Sequence, residues 1–370
     1  MRLYKMELYK LLYRKMFWIS LAAVLGILTV YFAFVCVGEE RTTIDGTLYT
    51  GLEAVSRDRE ITEEFKGILT DEKARRIIDQ YGFPSRIEEN YGGFRDENYL
   101  NGFVTEYLGN GYLRDWDDYQ ISTGLRPIQE SDLGKAAEVS GRNVILDYAK
   151  GWTVFADILQ LGMILGSALV VTVVSPVFSE EQQSRMSALL FTSRGGREKD
   201  TFAKIMAAFT AAFFIYAVIV CFLSLTVGAV YGFGGGECMS GTVLISFHVD
   251  PASPVTAKTA GAVILLMLGL DLLALFTLCA LTLCVSAHQK TAFHSVVLTF
   301  ALWTAPLLLR ILFNGAGYLL ASGTPMFLVM TGILQDWYGM LFIPVGISVC
   351  IFVYATLSSW NTWRRAEADV

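Results

Sequence analysis

Six apolar stretches, each close to the length an α-helix needs to cross a bilayer, constrain this sequence more than anything else in it: residues 16–37, 158–178, 205–230, 260–285, 292–309 and 337–357. The hydrocarbon core is about 30 Å thick and takes roughly 20 helical residues to span. The fourth stretch contains Asp271, which costs roughly 2.5–3.5 kcal/mol at a helix centre. Its 14 Leu, Ile, Val or Phe residues return about 0.3–0.6 kcal/mol each, so the sum favours insertion. The fifth is the shortest, holds Pro306 and is bounded by Arg310. With 54% hydrophobic and 17% charged residues, an ordinary soluble enzyme and a disordered chain are both excluded. The expected class is an all-α membrane protein with six transmembrane helices.

Orientation follows from Lys and Arg in the short connecting loops, since cytoplasmic loops carry the excess. With the N-terminus inside, residues 1–15, 179–204, 286–291 and 358–370 are cytoplasmic and hold 13 basic residues, against only Lys258 and Arg310 in the outer loops 231–259 and 310–336. Both termini are therefore expected in the cytoplasm. The first stretch has 22 residues and no A-x-A site after it, which reads as a retained anchor and not a cleaved signal peptide.

Residues 38–152 are different material: 23 acidic and 14 basic side chains, no cysteine and no run long enough to span. They read as one extracellular, helix-containing domain inserted between helices 1 and 2, with helix 2 taken from 153. Residues 61–81 have amphipathic helical spacing, through Ile61, Phe65, Ile68 and Leu69, a fresh start at Thr70, and then Ile77, Ile78 and Tyr81 before Gly82 and Pro84. Ten aromatics follow between Tyr81 and Tyr119, among them Phe94, Phe103, Tyr107 and Trp116. They suit a surface that grips an amphiphile or the core of a small disulfide-free domain.

The loop at 179–204 carries the strongest functional signal. Ser179 and Gln182 have capping-box spacing behind Pro176, and Met186, Leu189 and Leu190 then line one face of a short helix, with Glu181 and Arg185 on another at i,i+4. Gly195 and Gly196 end it before the basic re-entry Arg197, Lys199 and Lys204. Such a helix should lie flat at the inner interface with its charged side toward a cytoplasmic partner. At the N-terminus, residues 1–15 place Tyr4, Leu8, Leu11 and Leu12 on one face and Lys5, Arg14 and Lys15 off it, as an interfacial amphipathic helix would.

Glutamate, a short polar gap, Leu189-Leu190, Thr192-Ser193-Arg194, then Arg197 and Lys204 at the next span: this order resembles the coupling-helix region of type 2 ATP-binding cassette (ABC) exporter permeases, especially Gram-positive ones with a large external domain after the first span. The N-terminal helix resembles that family's interfacial helix. Gly315, Gly317, Gly323, Pro325 and Gly332 in the outer loop 310–336 resemble its broken, possible re-entrant outer helices. The resemblance covers the six-span layout, roughly residues 1–37 and 154–360. It implies a bacterial cytoplasmic-membrane permease, coupled through Glu180, Glu181, Arg185, Met186, Leu189, Leu190, Arg194 and Arg197 to a separate ABC ATPase, in two copies, beside a second permease chain, identical or homologous. No GxxxxGK[ST] string occurs, so ATP and Mg belong to that partner, the chain itself binds no cofactor, and it is expected not to be an enzyme. The implied cargo is amphiphilic: an antimicrobial peptide, bacteriocin or hydrophobic drug.

Other features are less directive. Asp271 should face protein or water, as pathway lining or a packing contact, and Gly162 with Gly166 form a GxxxG helix-contact motif. Asp157 and Arg310 sit near span ends, where snorkelling is easy. Three histidines and six cysteines lack metal-site spacing, and no structural disulfide is expected. The basic residues flank spans, so the lipid bilayer, not nucleic acid, is their ordinary partner. A membrane sensor, whose external domain binds a ligand and signals inward, is the alternative function. An ion-coupled carrier using Asp271 is a third, though internal repeats are missing.

Overall fold

The computed structural model describes residues 2–84, 97–109, 124–184, 186, 198–244, 249–312, 321, 324–330 and 332–365. Among them, six helices are long and apolar enough to cross a membrane: Lys15–Val37, Lys150–Gln183, Glu198–Val230, Ala260–His288, Ala292–Leu312 and Phe342–Arg365, numbered here spans 1 to 6. The protein is a mostly helical membrane protein with little sheet. Spans 2 and 4 are largely covered by protein, at 72% and 56% of their apolar stretches, against 17% or 22% for the others. Side chains such as Ile27, Phe213, Leu302 and Val353 are exposed, as lipid-facing residues would be.

Contacts divide the chain into two compact units, residues 1–28, 159–222 and 266–370, and residues 29–158 and 223–265. In the first, the N-terminal helix α1 (Arg2–Leu12) precedes α2 (Lys15–Tyr31). Span 6 departs from the sequence reading at both ends. It begins at Phe342 rather than 337, because Pro344 lies in its first turn, where a missing N–H costs nothing. It runs on to Arg365 through polar residues because Trp363 is fully buried, its ring 4.8 Å from that of Phe178. Span 5 passes through Pro306 without breaking and ends at Leu312. Gly166 of span 2 meets span 3 so closely that an added Cβ would lie 2.8 Å from Ile219 Cδ1, and Gly162 is buried too.

The second unit contains the domain inserted between spans 1 and 2. A hairpin, β1 (Arg41–Ile44) and β2 (Thr47–Thr50), turns through Asp45 and Gly46, both at positive φ (51° and 71°), the geometry that an Asp-Gly pair favours. Then come α3 (Leu52–Phe65), β3 (Gly67–Ile68), α4 (Asp71–Tyr81), α5 (Tyr99–Leu108), α6 (Asp132–Ser140) and β4 (Ile145–Leu146), with β3 and β4 antiparallel. Of the helical stretch expected over 61–81, the fresh start at Thr70 is present, its Oγ1 accepting the Lys73 N–H as it caps α4, but the first helix starts at Leu52 and ends at Phe65, and Ile68 lies in a strand. Gly82 ends α4 at φ 72°, a left-handed value that a side chain would strain. Phe65, Ile77, Tyr81, Leu100, Phe103 and Leu146 belong to one apolar core. Of the aromatics noted above, Phe103 and Tyr81 are core and Tyr107 packs against it, while Phe94 and Trp116 lie outside the described residues.

This domain grips the span ends through buried polar groups. Glu40, 7% exposed, pairs with Lys150 at the start of span 2 and lies 3.0 Å from the Tyr231 hydroxyl just past span 3. Asp58 accepts from the Thr42 hydroxyl (2.8 Å) and the Tyr99 N–H (3.1 Å). Span 2 also touches the chain after span 3 backbone to backbone: a Cβ on Gly151 would lie 2.0 Å from the Gly232 carbonyl oxygen.

Gly151→Ala should therefore destabilise the chain at or above the top of the roughly 1–3 kcal/mol range for overpacking, read as a lower thermal midpoint of the purified protein in detergent. Burial outweighs the hydrogen bonds at Asp58 and pushes its carboxyl up from 3.8 to about 6. The folded state then holds a proton that the unfolded chain releases, so the contribution of Asp58 to stability is full below about pH 4 and is lost, about 3 kcal/mol in all, as pH rises through 6. Asp58→Asn, which keeps an acceptor oxygen without charge, should flatten that slope in thermal scans between pH 4.5 and 7.5.

Candidate functional site

Span 2 is interrupted at Ser175. Helix α7 (Lys150–Val174) stops there and α8 (Pro176–Gln183) resumes, because Pro176 supplies no N–H and its ring crowds the carbonyl four residues back. Ser286, near the end of span 4, fills the gap: its Oγ donates to the Ser175 carbonyl (2.6 Å) and accepts from the N–H groups of Phe178 and Ser179 (3.1 Å each). The helix does not start at Ser179 as the capping-box spacing suggests. Ser179 is inside it, buried, with its hydroxyl donating to the Ser175 carbonyl at 2.7 Å, since span 2 is already helical when it reaches that serine.

Four neighbours hold α8 at once, in addition to span 5, which packs against it. Span 4 holds it through Ser286 and through the Ala287 carbonyl, which accepts from Gln182 Nε2 at 3.1 Å. Span 6 holds it through the Trp363 and Phe178 rings. The third and fourth attachments are ionic. Glu181 Oε1 lies 2.9 Å from Lys204 Nζ of span 3 and 2.9 Å from Lys10 Nζ of α1.

Lys204 is the centre of that cluster. Its side chain is 0% exposed and meets Glu181, Asp200 at 3.1 Å and Glu7 at 3.2 Å. An ammonium without water is costly, and only close carboxylates offset the desolvation. Three carboxylates against one ammonium leave excess negative charge, which Lys10, 40% exposed, partly balances. Glu181 Oε2 is buried with no donor among the described residues. Alongside, Glu180 pairs with Arg14 at a half-exposed site, and the Tyr4 hydroxyl lies 2.9 Å from Thr210 Oγ1.

The sequence reading turns the charged side of this helix outward, but Glu181 is 5% exposed and committed to two lysines, one on α1 and one on span 3. Glu180 does sit near the surface, and Met186 is exposed at 53%. Arg185, Leu189, Leu190, Arg194 and Arg197 lie outside the described residues. Asp271 is 3% exposed, within protein and away from this cluster's ion pairs. Sequence reasoning missed Glu7, Lys10, Asp200 and Lys204 as a unit. Two signals were present: Glu7 is the one acid among five basic residues in 1–15, and Asp200 with Lys204 has i,i+4 spacing at the head of a span.

No protein-family model, no curated protein and no solved structure matches the chain. The cluster has no nucleophile paired with a base, and no group of three or more His, Cys, Asp or Glu able to hold a metal occurs among the described residues. Charge, hydrogen bonds and a ring contact join α8 to four helices, and span 5 packs against it.

Lys204→Met leaves three carboxylates facing one another and should cost about 3–5 kcal/mol, whereas Lys10→Ala removes a half-exposed partner and should cost about 0–1 kcal/mol. Thermal midpoints of the two purified variants, side by side, check the difference. Equal midpoints would remove Lys204 from its central place.

Proposed function

We propose that this chain is the membrane-spanning permease subunit of an ATP-driven exporter, powered by a separate ATP-binding cassette subunit that docks on the cytoplasmic loop after α8. One observation carries the reading: α8, which leads straight into that loop, is tied to α1 and to spans 3, 4, 5 and 6. A push on the loop would load α1 and spans 3 to 6 through α8, so that ATPase closure would be converted into a change of helix tilt. The resemblance of the loop to type 2 exporter permeases supplies the partner. A second permease chain would complete the pathway, and an amphiphilic cargo such as an antimicrobial peptide, bacteriocin or hydrophobic drug suits a protein whose spans face lipid. In this reading both termini are cytoplasmic and the inserted domain is extracellular, in a bacterial cytoplasmic membrane. Glu181 transmits the push as an internal strut, while Glu180 and Met186 stay near the surface to meet the partner.

A sensor is the second reading, favoured by one feature. The inserted domain is fastened to the ends of spans 1, 2 and 3 by buried polar contacts, Glu40 with Lys150 and Tyr231, through which a ligand-induced shift in the domain would reach the spans.

Purification of the tagged chain from native membranes in mild detergent should bring down a phosphate-loop ATPase. In that complex, Glu181→Gln should keep the ATPase bound and hydrolysing while lowering cargo export at least several-fold. Recovery without any ATPase, where a known exporter survives the same detergent intact, would move the assignment to the sensor.

A further inference from the structure

We propose that the groove between α1, the head of span 3 and the end of span 6 binds one anionic phospholipid, its headgroup on Arg2 and Lys199 and its acyl chain against Phe202, Met206 and Trp360. The groove is open and of about 710 Å³, within the roughly 300–1,000 Å³ of small-ligand sites. Its floor is apolar and its rim is charged. Of the ionisable residues that line it, Glu198 is already paired with Arg364 at 2.9 Å, whereas Arg2 and Lys199 have no ion pair among the described residues.

Two cations with no ion pair among the described residues, over an apolar floor, match an amphiphile with a negative head. A free anion would leave the floor wet, and a zwitterionic lipid would leave the cations unbalanced. Depth agrees as well. Lys199 is the second residue of a membrane-length helix and Trp360 lies near the end of another, at the level where headgroups sit and tryptophan is enriched. Leu3, Met6 and Phe202 are exposed at 42%, 66% and 59%, a patch suited to the headgroup boundary and unsuited to water. The groove is separate from the carboxylate cluster but backs on it, because Ala203, which lines the groove, precedes Lys204. A bound lipid would therefore bear on α1 and span 3 next to their ionic contact. The inference does not depend on the exporter reading.

The test is native mass spectrometry of the purified full chain offered equimolar dioleoyl phosphatidylglycerol and dioleoyl phosphatidylcholine. Wild type should retain one phosphatidylglycerol in preference to phosphatidylcholine, and Arg2→Gln combined with Lys199→Gln should reduce that preference roughly 20-fold. Lys15→Gln, at the head of span 1, should leave it intact. Both variants are surface changes, and thermal midpoints within a degree or two of wild type would confirm folding. A photoactivatable acyl-chain phosphatidylglycerol provides a readout independent of the variants and should label peptides holding Phe202, Met206 or Trp360. Equal retention of the two lipids, an undiminished preference in the double variant, labelling elsewhere, or displacement of the lipid by millimolar inorganic phosphate would each overturn the proposal.

Discussion

A lysine ammonium shut away from water is the constraint around which one half of this molecule is arranged. The charge of Lys204 is offset by Glu7, Glu181 and Asp200, which come from α1, from the end of span 2 and from its own helix. Apolar packing between lipid-facing helices is permissive, because lipid tails are as apolar as leucine and offer little penalty for separation. Charge is not permissive. Removing Lys204 would leave three carboxylates without their shared cation, so the ionic contact fixes the relation of α1, α8 and span 3 more sharply than their apolar surfaces can.

The six spans were legible in the sequence because bilayer insertion is a local sum over about 20 residues, with each term carried by the side chain itself. Their ends were less so. Span 6 was expected to stop where the apolar run stops, at 357, yet Trp363 draws the helix on by burying itself under Phe178. That contact bridges residues 185 positions apart and leaves no trace in either neighbourhood. The same holds for Glu181. Its place beside Arg185 at i,i+4 suggested a solvent-facing helix, while its actual partners are Lys10 and Lys204. Local spacing records which residues could share a face; it does not record which face turns inward.

In the inserted domain the local rules fared better where a single residue makes the decision. Thr70 caps a helix and Gly82 ends one, as their chemistry requires. An error entered at Ile68, whose apolar side chain fits a helical stripe as well as it fits a two-residue strand paired with Ile145. Propensity cannot resolve that choice, because the pairing partner lies 77 positions away and the strand exists only when both segments are present.

Synthesis order gives the many attachments of α8 a temporal meaning. Its ionic contacts draw on residues 7, 10 and 204 and can form once span 3 has been made. Ser286 arrives later with span 4, and Trp363 only with the last helix. Since chains emerge from the N-terminus at about 5–20 residues per second, the helix break at Pro176 spends several seconds with its backbone amides short of an acceptor. A chain stalled or cut before span 4 would keep that break exposed, a ready mark by which quality-control proteases could tell an unfinished molecule from a finished one.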